Sequence, residues 1–341
     1  EFPYESEVNV QNIHDTLYRE VQISLLPFVG SNGRLSGNVI NDYSINIFGG
    51  YSLGTRKIEL GFFFNTDRGD VSFLQIAGFG NLVGGNVYGI QAAGFFNANQ
   101  GETKAIQWAG FANANLGEAR GVQIAGFANA NIKSADGVLL AGFANFANGK
   151  SQGVQVAGFG NVQIGDYTGS KIAGFSNIAT NNIHGSQVSA FFNYARKVRG
   201  TQIGVFNYAD TLGGVPIGLL SFVNHGYHKI EIAADEIFYT NLSFRTGVHR
   251  FYNILHAGLK PESTTGAKET VWSFGYGLGT APKLTRWLDL NIDLTADHVN
   301  KGGFTNELSL LNKLSVGFDM KLTKKMSLTM GATLNAYLTK N

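Results

Sequence analysis

Residues 121–132 read GVQIAGFANANI, 137–148 read GVLLAGFANFAN and 153–164 read GVQVAGFGNVQI. They are copies of one unit at a step of 16 residues, and the step runs far beyond them. Phe79, Phe95, Phe111, Phe127, Phe143, Phe159, Phe175 and Phe191 keep it. An asparagine follows each two positions later: Asn81, Asn97, Asn113, Asn129, Asn145, Asn161, Asn177 and Asn193. Phe63 with Asn65 extends the series backwards; Phe206 with Asn207 and Phe222 with Asn224 extend it forwards, with one residue lost between Phe191 and Phe206. The joins LGEAR (116–120), KSAD (133–136) and GKSQ (149–152) are turns by composition.

With period 2, each copy separates into two faces. Val122, Ile124, Gly126, Ala128 and Ala130 fall on an apolar face, and Gln123, Ala125, Phe127, Asn129 and Asn131 on the opposite one. No helical period fits, so each copy reads as a strand of about nine or ten residues and a turn of about six. Two architectures use such a step. In a β-solenoid each step is a coil stacked on the last. A coil needs a core, however, and the second halves (NQGETK, NLGEAR, NIKSAD, FANGKSQ) supply almost no apolar residue for one. In an antiparallel meander each step is one strand and its turn, and polar halves are expected. The meander is the favoured reading, with the solenoid as its alternative.

The flanks alternate without the strict repeat. Met326, Leu328, Met330, Ala332, Leu334, Ala336 and Leu338 alternate with Ser327, Thr329, Gly331, Thr333, Asn335 and Tyr337. Leu314 to Leu322, Leu288 to Ala296, Val21 to Leu25 and Ile45 to Ile47 behave likewise. Long strands with one apolar face are the signature of transmembrane barrels, whose backbone must be satisfied internally. The expectation is therefore all-β: a closed antiparallel transmembrane β-barrel of about 18–20 strands. It would occupy 18–341 with the repeat region at 58–224, after an irregular segment 1–17. Lipid would face Val/Ile, and a lumen would face Gln, Phe and Asn. Trp272, Trp287, Tyr239, Tyr252, Tyr276 and Tyr337 would form interfacial girdles, and 30–42 and 260–269 would be the longest loops.

Composition agrees with an ordered β protein. Of 341 residues, 45 are glycine and 5 proline, none is cysteine, and 44% are hydrophobic. That excludes disorder, disulfide staples and thiol chemistry. The balance of 26 basic and 24 acidic residues gives +2, which offers no nucleic-acid glove. No apolar run approaches the ~18 residues of a spanning helix. The polar start at Glu1 carries no signal-peptide core, as expected of a processed chain.

The units GVQIAGFAN and TQIGVFNYA (201–209), followed by HKIEIAADEIFYTNLSFRTGVHRFYNIL (228–255), resemble a surface-repeat family of Leptospira and Bacteroidota with GLQIGLFN-like units. The likeness covers 58 to about 260, with Ala-Gly here in place of Gly-Leu. The resemblance implies a cell-envelope, outer-membrane location and no catalytic residues. Its context suggests an accessory role in an envelope complex, of which secretion machines are an example.

Residues with chemistry are few. His225 and His228 form HGYH without a ligand partner at metal spacing, and a turn is the simpler account. His256 and His298, with Ser243 or Ser273, could build a Ser/His/Asn or Ser/His/Asp arrangement across strands, but no nucleophile motif surrounds either serine. GYGLG (275–279) lies inside an alternating strand instead of before a helix, so its nucleotide reading fails. Arg196, Lys197 and Arg199 sit in a turn able to touch lipid phosphate, and Asn241-Leu242-Ser243 is an incidental sequon. The phenylalanine series is the candidate site: a greasy lumen ring, or rings covering glycine backbone. The asparagines would hydrogen-bond in rows.

The function expected is that of a non-enzymatic outer-membrane β-barrel protein, a structural or accessory subunit without catalytic residues, metal or cofactor. Its partners would be outer-membrane lipid and other envelope proteins, with no nucleic acid. The alternatives are a passive channel for small or apolar solutes and a β-solenoid surface interaction protein.

Overall fold

The computed structural model describes residues 16–264 and 267–339. The chain divides into two compact units, one ending at Ala190 and one spanning Phe191–Asn341. Most of segment 1–17, with His14, lies outside the described residues; Leu17 already opens a strand, Leu17–Leu26.

The repeat is a β-solenoid, which overturns the closed transmembrane barrel. Each 16-residue copy makes two short strands instead of one long one. Ala119–Ala125 runs to a corner at Gly126 and Phe127, and Ala128–Asn131 returns. Neighbouring copies pair in parallel and in register: Gln107 opposes Gln123, which opposes Leu139. On the short strands Asn113 opposes Asn129, which opposes Asn145. The corners are paired too, since Phe127 donates its N–H to the Phe111 carbonyl at 2.8 Å and Gly126 to that of Ala109 at 3.1 Å.

The argument against a coil rested on a missing apolar core, and the coil does without one. Its interior is a stack of amides and small side chains. The buried Asn81, Asn97, Asn113, Asn129, Asn145, Asn161 and Asn177 form one row, and Gln75, Gln91, Gln107, Gln123, Gln155 and Gln187 another. Alanines such as Ala93, Ala109 and Ala125 fill the space between them. An amide carries both donors and an acceptor, so identical amides at a ~4.8 Å spacing satisfy one another.

The corner also corrects the faces. Alternation counted straight through Gly126–Phe127 puts Phe127 beside Gln123 and Asn129. The chain bends there, and each phenylalanine turns outward while the amides stay inside. Gly126 permits the bend, because a Cβ on it would lie 2.0 Å from the Gly110 carbonyl oxygen. The same holds for Gly110, Gly142, Gly158 and Gly174.

In the second unit the step shortens. Phe192–Val198 pairs with Phe206–Leu212, and that with Leu220–Val223, so Asn207 opposes Asn193 and Ser221. Phe222 opposes Tyr208 instead of continuing the phenylalanine series, and Asn224 lies beyond the strand.

Apart from a short antiparallel pair of Leu17–Leu26 with Val29–Gly30, extended antiparallel pairing among the described residues belongs to a seven-stranded meander, a half-barrel in place of 18–20 strands. Its strands are Tyr227–Ala233, Thr240–Val248, Phe251–Thr264, Ala267–Thr280, Leu288–Lys301, Ser309–Lys321 and Ser327–Thr339. Segment 260–269 is mostly strand, with Thr264 paired to Ala267 and 265–266 outside the described residues. Segment 30–42 holds a 3-10 helix, Gly33–Asn38. The last coil packs on this sheet: Thr246 Oγ1 donates to the Ser221 carbonyl at 2.9 Å, and Tyr276 Oη to that of Gly218 at 2.8 Å. Tyr276 is thus a packing residue, and Tyr252 is fully buried, so neither is part of an interfacial girdle. Among the described residues no helix is long and apolar enough to cross a membrane.

Candidate functional site

Two surfaces carry unusual chemistry: the outside of the coils, and the concave side of the half-barrel.

On the coils the asparagine row is internal and continuous. Asn113 Nδ2 donates to Asn129 Oδ1 at 2.9 Å, and Asn129 Nδ2 to Asn145 Oδ1 at 2.9 Å. The second amide proton of Asn129 goes to the Leu140 carbonyl at 2.8 Å. Every polar atom of the side chain is used, so this row offers nothing to a ligand. Charged side chains enter the interior at Glu59, Asp67 and Lys171. Asp67 and Glu59 share Gln75 Nε2 at 2.8 Å each. Burial first, and the neighbouring Glu59 second, push the Asp67 carboxyl well above its usual range. Lys171 takes a glutamine position, donates to Gln155 Oε1 and lies 3.9 Å from the Tyr167 ring centroid. Burial pulls its pKa well below that of an ordinary lysine.

The phenylalanines form an outer column. Phe95, Phe111, Phe127 and Phe143 stack with centroids 4.7–4.9 Å apart and planes within 5° of parallel. Phe159 and Phe175 continue the stack at 4.9 Å, and Phe79 joins Phe95 at 5.0 Å. Phe95, Phe111, Phe127, Phe143, Phe159, Phe175 and Phe191 each keep roughly two-fifths of their surface exposed, and Phe79 is half-buried. The flat side made by the long strands is apolar as well, with Ile90, Ile106, Trp108 and Ile172 exposed, and the short-strand side presents Leu82 and alanines such as Ala112 and Ala130. Charges such as Glu102, Lys104, Glu118 and Arg120 occupy the opposite edge, in exposed pairs that contribute little to stability. The coil is therefore apolar outside and polar inside, with one aromatic and one charged edge.

The half-barrel repeats this inversion. Leu255, Phe274, Leu294, Leu314, Phe318 and Met330 are exposed on its convex side, while the concave side holds ion pairs. Arg245 meets Asp293 at 2.7 Å and Glu231 at 3.2 Å. Lys229 meets Glu231 at 2.8 Å and Asp319 at 3.0 Å, and Lys313 meets Asp235 at 2.6 Å. Burial alone would lower the Arg245 pKa, but Asp293 and Glu231 outweigh it and raise it. Burial would likewise raise Glu231, and Arg245 and Lys229 bring it below its usual range. Gly275 and Gly279 leave room for the acidic row; a Cβ at Gly275 would meet Asp297 Oδ1, and one at Gly279 would meet Asp293 Oδ1. This is the structural use of GYGLG.

The remaining candidates scatter. The ring of His225 contacts the Asp210 carbonyl at 3.1 Å, and that of His228 the Val223 carbonyl at 2.6 Å, so each is pinned to backbone. His256 Nδ1 lies 2.7 Å from Asp297 Oδ2, and Ser243 opposes His256 across the ladder. No hydrogen bond joins a serine hydroxyl to His256 among the described residues, and Ser273 Oγ has no partner. His298 faces away and contacts the Thr305 carbonyl. No group of three metal-ligating side chains occurs among the described residues. Asn241 and Ser243 of the sequon are buried on the concave side.

The fold thus defines the class: a β-solenoid with a polar amide interior, whose second unit carries an antiparallel half-barrel. Comparison with protein-family models, with curated proteins and with solved structures finds no match for this chain.

Proposed function

We propose that this chain is a non-enzymatic interaction protein of the cell envelope, whose β-solenoid and half-barrel lay their apolar exteriors against membrane hydrocarbon. The observation that carries this reading is the inversion of polarity. In water, apolar side chains gain by facing inward; here amides and ion pairs occupy the inside, and Ile, Phe, Trp and Leu the outside. Continuous exposed apolar surface marks an interaction site. Lipid is the partner that suits apolar surface on both units and on every face except one charged edge. The coil is equipped for it, because inter-coil hydrogen bonds satisfy strands and corners alike. The GLQIGLFN-like resemblance, with its outer-membrane location, supports the same reading.

Covering each half-exposed ring of the phenylalanine column contributes roughly 1 kcal/mol, so the column favours lipid contact by several. The test is flotation of the full chain with phospholipid vesicles in a density gradient at high salt. The protein should rise with the vesicles, and the double substitution Phe127→Asp and Phe143→Asp should weaken that association at least tenfold with an unchanged β spectrum. A chain that stays at the bottom as a soluble monomer, or as a closed oligomer with its apolar faces covered, overturns the proposal.

A further inference from the structure

The half-barrel encloses a cavity of about 820 Å³, within the ~300–1,000 Å³ of small-molecule sites. Three properties of its wall select a ligand.

The first is charge. Arg245, Lys313 and the mostly covered Lys229, the cations inside the lining, are already paired with Glu231, Asp319, Asp293 and Asp235, and Lys325 stands exposed at the rim. A charged ligand would have to break one of these pairs, and a lone buried charge is costly. The second is unspent hydrogen bonding. Both amide atoms of Asn291, the Asn241 Oδ1 and the Arg245 Nη1 are buried without a partner, on side chains 3%, 4% and 6% exposed. Such atoms ask for a neutral group that both donates and accepts. The third is an opening in the wall. The sheet runs in order from its first strand, Tyr227–Ala233, to its seventh, Ser327–Thr339, and no backbone pairing joins those two among the described residues. The cavity is lined there by Ile230, Ile232 and Leu328 as well as by Lys229 and Glu231, so it passes from the polar inside to the apolar outside. Beside that seam lie the most exposed aliphatic side chains of the sheet, Ile230, Ile232 and Leu334, at 71%, 77% and 72%.

We infer that the half-barrel binds one molecule of a neutral amphiphile. Its polyhydroxy head group occupies the cavity against Asn291, Asn241 and Arg245, and its hydrocarbon chain leaves between the first and seventh strands along Ile230, Ile232 and Leu334. Thr329 ties the seam at one level, accepting from Lys229 Nζ at 2.6 Å and donating to Glu231 Oε2 at 3.0 Å, and Asn335 Nδ2 donates to Glu236 Oε1 at 2.5 Å beyond the end of the first strand. The head therefore enters on one side of the Thr329 bridge. Vesicle contact through the outer faces does not depend on this site.

The probe is dodecyl maltoside, with maltose as the head alone. The full chain is carried in a dimethylamine-oxide detergent, maltoside is added below its micelle concentration, and native mass spectrometry counts what survives removal of the carrier. One maltoside should be retained per chain, and maltose should bind at least a hundredfold more weakly. Asn291→Leu removes the unpartnered amide, and Thr333→Trp fills the cavity from the half-exposed seventh strand; each should lower retention at least tenfold. Should Asn291→Leu fail to fold, Thr333→Trp decides alone. Retention that is absent, or equal in wild type and Thr333→Trp, overturns the inference. Thr333→Trp should still float with vesicles as wild type does, which separates this site from the lipid-facing exterior.

Discussion

At the scale of single residues, the amide interior makes sharp demands. Replacing Asn129 by leucine would strand a buried donor on Asn113, a buried acceptor on Asn145 and the part-buried Leu140 carbonyl. Unpaired buried groups cost ~1–3 kcal/mol each, so Asn129→Leu should lose about 3 kcal/mol or more. Phe127→Ala, which gives up half-exposed stacking, should lose about 1 kcal/mol. Denaturant midpoints of the two variants check the order. Lys171 gives a pH test. Its folded pKa lies below its unfolded value, so the unfolded chain holds the extra proton between them. Stability should rise with pH through that window and fall as pH drops through the folded pKa. Lys171→Gln, which restores the row, should flatten this rise in midpoint-against-pH curves. Asp67 works in the opposite sense: its raised pKa contributes stability at low pH that is lost as pH climbs through the folded value.

At the scale of elements, the corner decides what a 16-residue copy becomes. Gly126→Ala drives a methyl into the Gly110 carbonyl, and either the coils part or the corner opens. The expected loss is about 3 kcal/mol, in the range of overpacking. Gly303→Ala, where a Cβ meets nothing within 4 Å, should change stability by no more than about 0.5 kcal/mol. Equal effects in a thermal melt would refute the close-packed corner. The repeat period and the outward Val and Ile rows were legible in the sequence. The bend was not. Gly-Phe fits a straight strand as well as a corner, so parity counted through it assigned Phe127 to the amide face. The polar second halves misled for a related reason: a core was expected to be apolar, whereas laddered amides need only their own neighbours.

At the scale of the molecule, the inversion predicts where the fluorescence should respond. Trp108 is 59% exposed on a flat side of the coil. With Trp272 and Trp287 replaced by phenylalanine, its emission should shift to the blue on vesicle addition and be quenched by brominated acyl chains. Unchanged emission would place that side in water and count against lipid contact by the coil.

The half-barrel strands were visible as alternation in 288–296, 314–322 and 326–338, yet not their number or their curl. Two contacting pairs lie far apart in sequence: His256 and Asp297 meet over Gly275, which stands between them in the sheet, and Arg245 and Asp293 meet across its curve. The sequence by itself determined the all-β character, the 16-residue period, and which alternating side chains share a face within each strand. These follow from local backbone geometry, which has period 2 in any extended segment. Tertiary structure alone decided parallel coil against antiparallel meander, since both satisfy that alternation and differ only in which backbone partner is taken. It also decided that the amides close on themselves inside while the rings stack outside, because a stack of coils brings each residue against its own copy 16 positions away.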